Sequence, residues 1–237
     1  MAGAPADKAS RLVHTADALQ VAGDAPRFVS RGGVKLAAAI ERFAVEVRGK
    51  RALDAGASTG GFTDCLLQQG AAHVVAVDVG YGQLHERLRT DGRVSVLERT
   101  NVRHLVLDDL GGRPFAVVTA DLSFISLGAV LPALLALAAP GADVVVLVKP
   151  QFEAGRAEAS RGRGVIRDPT VWRRVLGEVA AAIDAQDAVM MGIMVSPLRG
   201  ADGNVEFLLH ARRRDGEPAE GALDIDGAVA EALARTR

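Results

Sequence analysis

The 237-residue sequence predicts one doubly wound α/β domain built on a mostly parallel, seven-stranded, Rossmann-like sheet, and three observations carry that prediction. Short apolar runs recur at RALDAG (51–56), HVVAVD (73–78), VSVLER (94–99), AVVTAD (116–121), ADVVVLVKP (142–150), VMMGIMV (189–195) and VEFLLHA (205–211). Their hydrophobicity is continuous rather than alternating, the mark of strands buried on both faces, as in a parallel sheet covered by helices. Helical patterns fall between them at Gly61–Gln69, Gln83–Arg89, Leu127–Ala139 and Thr170–Gln186, the last opened by Asp168-Pro169. The alternation of strand and helix is that of a doubly wound sheet.

The remaining segments follow in order. Residues 1–29, rich in Ala, Asp and Gly with a strand-like Leu19-Gln20-Val21, read as an N-terminal remnant or linker, and residues 30–237 as the domain. Leu36, Ala39, Ile40 and Phe43 recur at helical spacing and predict an opening helix over Lys35–Phe43. The stretch 151–167 places Arg156, Arg161, Arg163 and Arg167 among Gly155, Gly162 and Gly164, and is expected to be a mobile, positively charged loop. After Asp215 comes a polar turn and a short amphipathic helix, Asp226–Arg235, read as packing or fraying.

Composition sets limits on function. With 49% hydrophobic and 24% charged residues the chain buries a real core. The net charge of −1 supplies no global positive field, so any nucleic-acid surface must be local. The single Cys65 excludes an intramolecular disulfide and a zinc-thiolate cluster, is expected to be a small buried hydrophobe, and fits a cytoplasmic location with no metal. The start, MAGAPADKASR, lacks the apolar centre of a signal peptide, and no run reaches the roughly 18 apolar residues of a membrane span. No membrane partner is expected. Among the 28 basic residues only four are lysines: Lys8, Lys35, Lys50 and Lys149.

Chemistry enters where the first strand turns into a helix, at Leu53-Asp54-Ala55-Gly56-Ala57-Ser58-Thr59-Gly60-Gly61-Phe62. Glycines there permit a tight turn and the close approach of a ligand to backbone N–H groups at the helix start. A plain strand-to-helix turn has the same look, but Asp54 stands at the carboxyl end of a strand and Asp78-Val79 ends the next, where doubly wound sheets bind ligands. Asp78 can accept from both hydroxyls of a ribose, which suits NAD and S-adenosylmethionine equally. Asp54 favours S-adenosylmethionine, because a carboxylate before the glycines repels a pyrophosphate and attracts an ammonium or sulfonium; the glycine spacing also departs from G-x-G-x-x-G. Asn101, after the third strand, either reads an adenine amino group or is a turn residue.

Asp121 and Lys149 end the fourth and fifth strands, and charges ending apolar strands imply either a structural salt bridge or a site. Methyl transfer from a sulfonium requires an aligned acceptor and removal of its proton. The sequence has no Asn/Asp-Pro-Pro-Tyr tetrapeptide suited to an exocyclic amine. A hydroxyl acceptor needs a base, and a lysine serves where desolvation or a neighbouring cation, such as a second lysine, favours its neutral form.

Ser30-Arg31-Gly32-Gly33-Val34-Lys35-Leu36, the run Leu53–Phe62, Asp78-Val79-Gly80-Tyr81-Gly82-Gln83-Leu84, Glu98-Arg99-Thr100-Asn101, Asp121-Leu122-Ser123-Phe124-Ile125-Ser126, Lys149-Pro150-Gln151-Phe152-Glu153 and Gly203-Asn204-Val205-Glu206 together resemble the TlyA (hemolysin A) family, in order across residues 27–211. The resemblance implies an FtsJ-like fold of the class I S-adenosylmethionine-dependent methyltransferases and 2′-O-methylation of cytidine, with ribosomal RNA or a ribosomal subunit as partner. It carries the family's Lys-Asp-Lys-Glu tetrad onto Lys35, Asp121, Lys149 and Glu206. On that basis Lys149 is expected to take the proton and Asp121 to orient it beside the cofactor. Lys35 is expected to lower its basicity and position the acceptor, with Glu206 orienting Lys35 or the ribose.

The chain departs from the family in two places. Members usually begin with a small RNA-binding domain, of which only the last fragment fits in residues 1–26, and the first motif reads Ser30-Arg31-Gly32-Gly33-Val34-Lys35 where the family commonly has an Ala-His pair before the lysine. Candidate phosphate contacts are Arg31 first, then Arg156, Arg161 and Arg163, with Arg27, Arg48, Lys50 and Arg51 around them, while Phe28 and Val29 are expected to pack against the domain. A small-molecule O-methyltransferase using the same site and a non-catalytic RNA- or ribosome-binding protein are the rival readings.

Overall fold

The computed structural model describes residues 12–14, 16, 26–200, 202–216 and 223–235. The strand-like Leu19-Gln20-Val21 lies outside them. Seven strands form one sheet: β1 (Arg51–Ala55), β2 (His73–Val77), β3 (Val94–Leu97), β4 (Phe115–Ala120), β5 (Ala138–Val148), β6 (Ala188–Val195) and β7 (Phe207–Arg213), in the order β3-β2-β1-β4-β5-β7-β6. Strands β1 to β5 pair in parallel, and β7 inserts antiparallel between β5 and β6. Eight helices accompany them in the described residues: α1 (Gly32–Phe43), α2 (Gly61–Gln68), α3 (Glu86–Arg89), α4 (Leu131–Leu137), α5 (Pro150–Glu153), α6 (Arg156–Arg161), α7 (Pro169–Asp184) and α8 (Ile225–Ala234). None is long and apolar enough to cross a membrane.

The continuous apolar runs have the cause expected of them. Successive residues of one strand enter opposite cores, so both must be apolar: Leu53, Val75, Val118, Val144 and Leu209 pack with α4, α7 and α8, while Ala52, Val74, Val117, Val145 and Leu208 pack with α1 and α2. Burial of each such Leu or Val contributes about 1.5–3 kcal/mol. Cys65 belongs to the second core, and burial pushes its thiol up to about 12.

Several boundaries differ from the expected ones, each for a tertiary reason. The expected helix at 127–139 is a 3-10 turn over Leu127–Ala129 followed by α4, and β5 begins at Ala138. The β4–β5 register then slips between Phe115 and Val117, at Pro140 and Gly141 (φ +73°) on the partner strand. The expected helix at 83–89 is helical only from Glu86, where His85 Nδ1 accepts from Arg87 N. The stretch 151–167, expected to be a loop, contains α5 and α6. Its end is held by buried Asn204, whose Oδ1 accepts from Ile166 N at 2.9 Å and whose Nδ2 donates to Gly164 O at 2.8 Å. The chain is also packed before residue 30. Phe28 is buried against Gly33, where a Cβ would lie 2.3 Å from its ring, and Val29 N donates to Asp64 Oδ2 at 2.9 Å. The C-terminal helix packs: Ala228, Val229 and Ala232 of α8 enter the first core.

Strand β1 has β2 on one side and β4 on the other, so the connections depart in opposite directions from this point. A crevice therefore opens at the carboxyl ends of β1 and β4.

Candidate active site

Two clefts meet in that crevice. The first, about 410 Å3, is walled by Gly56, Asp78, Val79, Asn101 and the segment from Asp121 to Ile125; the second, about 390 Å3, by Arg31, Lys35, Thr59, Phe62 and Lys149. Gly56, Ser58, Asp121 and Ser123 line both and form the shared wall.

The turn after β1 is built for close approach. Gly56 has φ +84°, and a Cβ there would lie 2.5 Å from the Asp121 carbonyl oxygen, so only glycine lets the β1 and β4 exits touch. Asp78 shapes the other side, its Oδ2 accepting from Ser58 N at 2.8 Å and its Oδ1 from Gly80 N at 2.7 Å. Each oxygen keeps a lone pair for a ligand hydroxyl. Asn101 is a turn residue, its Oδ1 accepting from Arg103 N at 3.1 Å, and it also lines the first cleft. With Val102, Ile125 and Val130 as apolar wall, the first cleft suits a ligand with vicinal hydroxyls and a flat apolar ring, and the Asp121 carboxylate lies on the wall it shares with the second.

Five of the residues expected to contact the cofactor do not line the first cleft. Asp54 is fully buried and lines neither cleft; its Oδ2 accepts from Thr63 Oγ1 at 2.6 Å, its Oδ1 has no hydrogen-bond partner, and burial raises its carboxyl to about 7. Gly60 also lines neither cleft. It caps α2 at φ +96°, and a Cβ would lie 2.2 Å from Leu88 Cδ1. Thr59, Gly61 and Phe62 line the second cleft and not the first, with Gly61 pressed against Ser30.

The four tetrad residues form two ion pairs. Glu206 Oε2 accepts from Lys35 Nζ at 2.5 Å, with both groups buried, and Lys149 Nζ stands 2.6 Å from Asp121 Oδ1. Lys149 also donates to Ser123 Oγ at 2.9 Å, a contact not anticipated from the sequence although Ser123 sits in a quoted motif. Each lysine has its own carboxylate, so the field of Lys35 at Lys149 is offset by Glu206. The fold imposes this arrangement: Asp121 and Lys149 leave adjacent parallel strands, while Glu206 precedes β7, which pairs with β5, and Lys35 comes from α1 on the facing layer.

The basic residues separate into two groups. Arg31 is exposed on the second cleft, and Arg161 and Arg163 are exposed at the end of α6. Arg156 opens α6. Arg51 is structural, donating to the carbonyls of Arg113 and Leu110 with its guanidinium 4.0 Å from the Phe115 ring centroid, and Lys50 pairs with buried Asp143 at 3.4 Å. No group of three or more His, Cys, Asp or Glu that could hold a metal occurs among the described residues.

Comparison with known proteins places this geometry in context. Residues 28–213 match the model of the FtsJ-like methyltransferases. The chain is 50% identical over 232 residues to a Mycobacterium tuberculosis protein named 16S/23S rRNA (cytidine-2′-O)-methyltransferase TlyA, covering 98% of this chain and 85% of that one. It is 33% identical to the Campylobacter jejuni 23S rRNA (cytidine-2′-O)-methyltransferase TlyA, over 77% of this chain and 70% of the relative. A crystal structure of a Lactococcus lactis protein described as a hemolysin superposes with a TM-score of 0.83 at 42% identity, covering 87% of this chain and 99% of that one.

Proposed function

Because the chain belongs to the FtsJ-like methyltransferase family, we propose that it transfers the methyl group of S-adenosylmethionine to the 2′-hydroxyl of a cytidine in ribosomal RNA. The observation that carries this reading is a pair of lysine–carboxylate contacts whose lysines line the second cleft, open to an acceptor, with one carboxylate, Asp121, on the wall shared with the first cleft, which suits an adenosyl ligand. The names of the relatives supply the acceptor class: a cytidine 2′-oxygen in ribosomal RNA.

S-Adenosylmethionine, when bound, supplies an electrophilic methyl on a positive sulfur. The chain's residues do the rest. Asp78 would hold the ribose hydroxyls, Asn101 and the apolar wall of Val102, Ile125 and Val130 would hold the ring, and the Asp121 carboxylate would favour the positive sulfur. Lys149 takes the acceptor proton as the free amine, its N–H groups held by Asp121 and Ser123 and its lone pair left for the hydroxyl. Lys35, held by Glu206, donates to the acceptor ribose and fixes its orientation, the positioning that an in-line displacement requires. Arg31, at the open edge of the second cleft, contacts an RNA phosphate.

The test is to incubate the protein with labelled S-adenosylmethionine and, in separate reactions, ribosomal subunits, naked ribosomal RNA and a metabolite extract. Label recovered as 2′-O-methylcytidine after nuclease digestion is the expected result. Label confined to the metabolite fraction, or absent from all three, overturns the proposal.

A further inference from the structure

The motifs that deliver Asp121 and Lys149 run on past those residues, to Ser126 and Glu153, and the extra residues meet one another. Beyond the paired ends of β4 and β5 the two exit segments stay joined by side chains. Lys149 reaches Asp121 at 2.6 Å and Ser123 at 2.9 Å. Phe124 and Phe152 then face each other with ring centroids 5.0 Å apart, tilted by 49°. The last link is Glu153, whose Oε2 accepts from Ser126 Oγ at 2.7 Å and whose Oε1 accepts from Leu127 N at 2.9 Å.

The rest of the segment is held by Asp121 N, which donates to Ala55 O at 3.0 Å, and by Leu122 and Ile125, which pack against the first core. None of residues 121–126 is buried, and Phe124 is 91% exposed with φ +64°, a conformation unfavourable for a residue with a side chain. Lys149 holds the segment at its start and Glu153 at its end. Both anchors lie within five residues of chain, on the exit of β5.

We propose that Glu153 is a positioning residue of the methyl-transfer site: by closing the 121–127 segment onto the β5 exit it keeps Asp121 and Ser123 where they hold Lys149 against the acceptor hydroxyl. The proposal rests on the functional reading above. The role calls for two acceptor positions, one for a hydroxyl and one for an amide N–H. A glutamine also meets it, its oxygen accepting from Leu127 N and its amide donating to Ser126 Oγ. An alanine meets neither.

The test measures methyl transfer to ribosomal RNA as a function of pH, together with S-adenosylmethionine affinity by calorimetry, for Glu153→Ala, Glu153→Gln and Ser126→Ala. Glu153→Ala is expected to lower kcat about 10- to 100-fold, the scale of a misplacement of about 1 Å, with KM for RNA changed less and the pH of half-maximal rate displaced. Glu153→Gln is expected to recover kcat to within about threefold, with the wild-type pH profile. Ser126→Ala, which removes one of the two bonds, falls between them and decides the matter if Glu153→Ala does not fold. A kcat within twofold of wild type in Glu153→Ala overturns the proposal, as does a glutamine variant as slow as the alanine one.

Wild-type protein that transfers no methyl to RNA defeats the functional reading rather than this one. Affinity then decides, because Leu122, Ser123, Phe124 and Ile125 also wall the first cleft. Glu153→Ala must weaken S-adenosylmethionine binding severalfold, and unchanged affinity overturns the proposal.

Discussion

Lysine is scarce in this chain, and two of its four lysines line the second cleft, each paired with a carboxylate. Arginine pairs with a carboxylate at least as well as lysine but does not give up its proton near neutral pH. Lys149→Arg therefore separates a base from a salt bridge. It is expected to keep S-adenosylmethionine affinity within about threefold while the transfer rate falls 10²- to 10⁴-fold, the usual range for losing a proton acceptor. Retained activity assigns Lys149 to structure. Asp54 carries a different prediction. Its folded carboxyl lies at about 7, above the ordinary value of 3.8, so the folded state binds the proton more tightly and stability declines as pH rises from about 4 to about 7. The full penalty, up to roughly 4 kcal/mol, is present above pH 7 and absent below pH 4. Asp54→Asn is accordingly expected to be more stable than wild type in urea at pH 8, with the gap closing by pH 4. A gap independent of pH contradicts the burial argument. The sequence places Asp54 correctly at a strand end but not its depth, where it is fully buried and bonded to the equally buried Thr63.

At the scale of elements, the strands were legible because burial on both faces leaves a local trace in every residue, and the cofactor-side turn was legible because its glycines are a backbone necessity. The segments misread were those whose shape is imposed from a distance. Nothing local in 151–167 announces α5 and α6, since Glu153 is bonded to Ser126 and Leu127, and the segment's end is bonded to Asn204. Within the glycine turn itself, sequence could not separate a glycine that faces a ligand from one that faces the core. Gly60 is of the second kind: its positive φ and the 2.2 Å approach to Leu88 Cδ1 together put Gly60→Ala at about 2–4 kcal/mol of destabilisation. Chemical denaturation should show that loss, with S-adenosylmethionine affinity at temperatures well below the melting transition changed less than twofold. A variant of normal stability that fails to bind returns Gly60 to the cofactor site.

For the whole molecule, a net charge of −1 means that attraction of a polyanion depends on where arginines are placed rather than on how many there are. The fold sorts them. Arg51, at the start of the first strand, has its guanidinium on two carbonyls and the Phe115 ring, while Arg31 stands exposed at the second cleft. Each phosphate contact to a single strand contributes about −0.7 to the slope of log affinity against log salt concentration, and somewhat more on a duplex. Arg31→Ala is therefore expected to weaken ribosomal RNA binding and make that slope shallower by about one contact, as read by a filter or polarisation titration across salt concentrations. Arg51→Ala is expected to leave the slope unchanged and to lower the melting temperature, because what it loses is packing and two hydrogen bonds. A slope that responds to Arg51 but not to Arg31 places the RNA on a different face from the one the two clefts define.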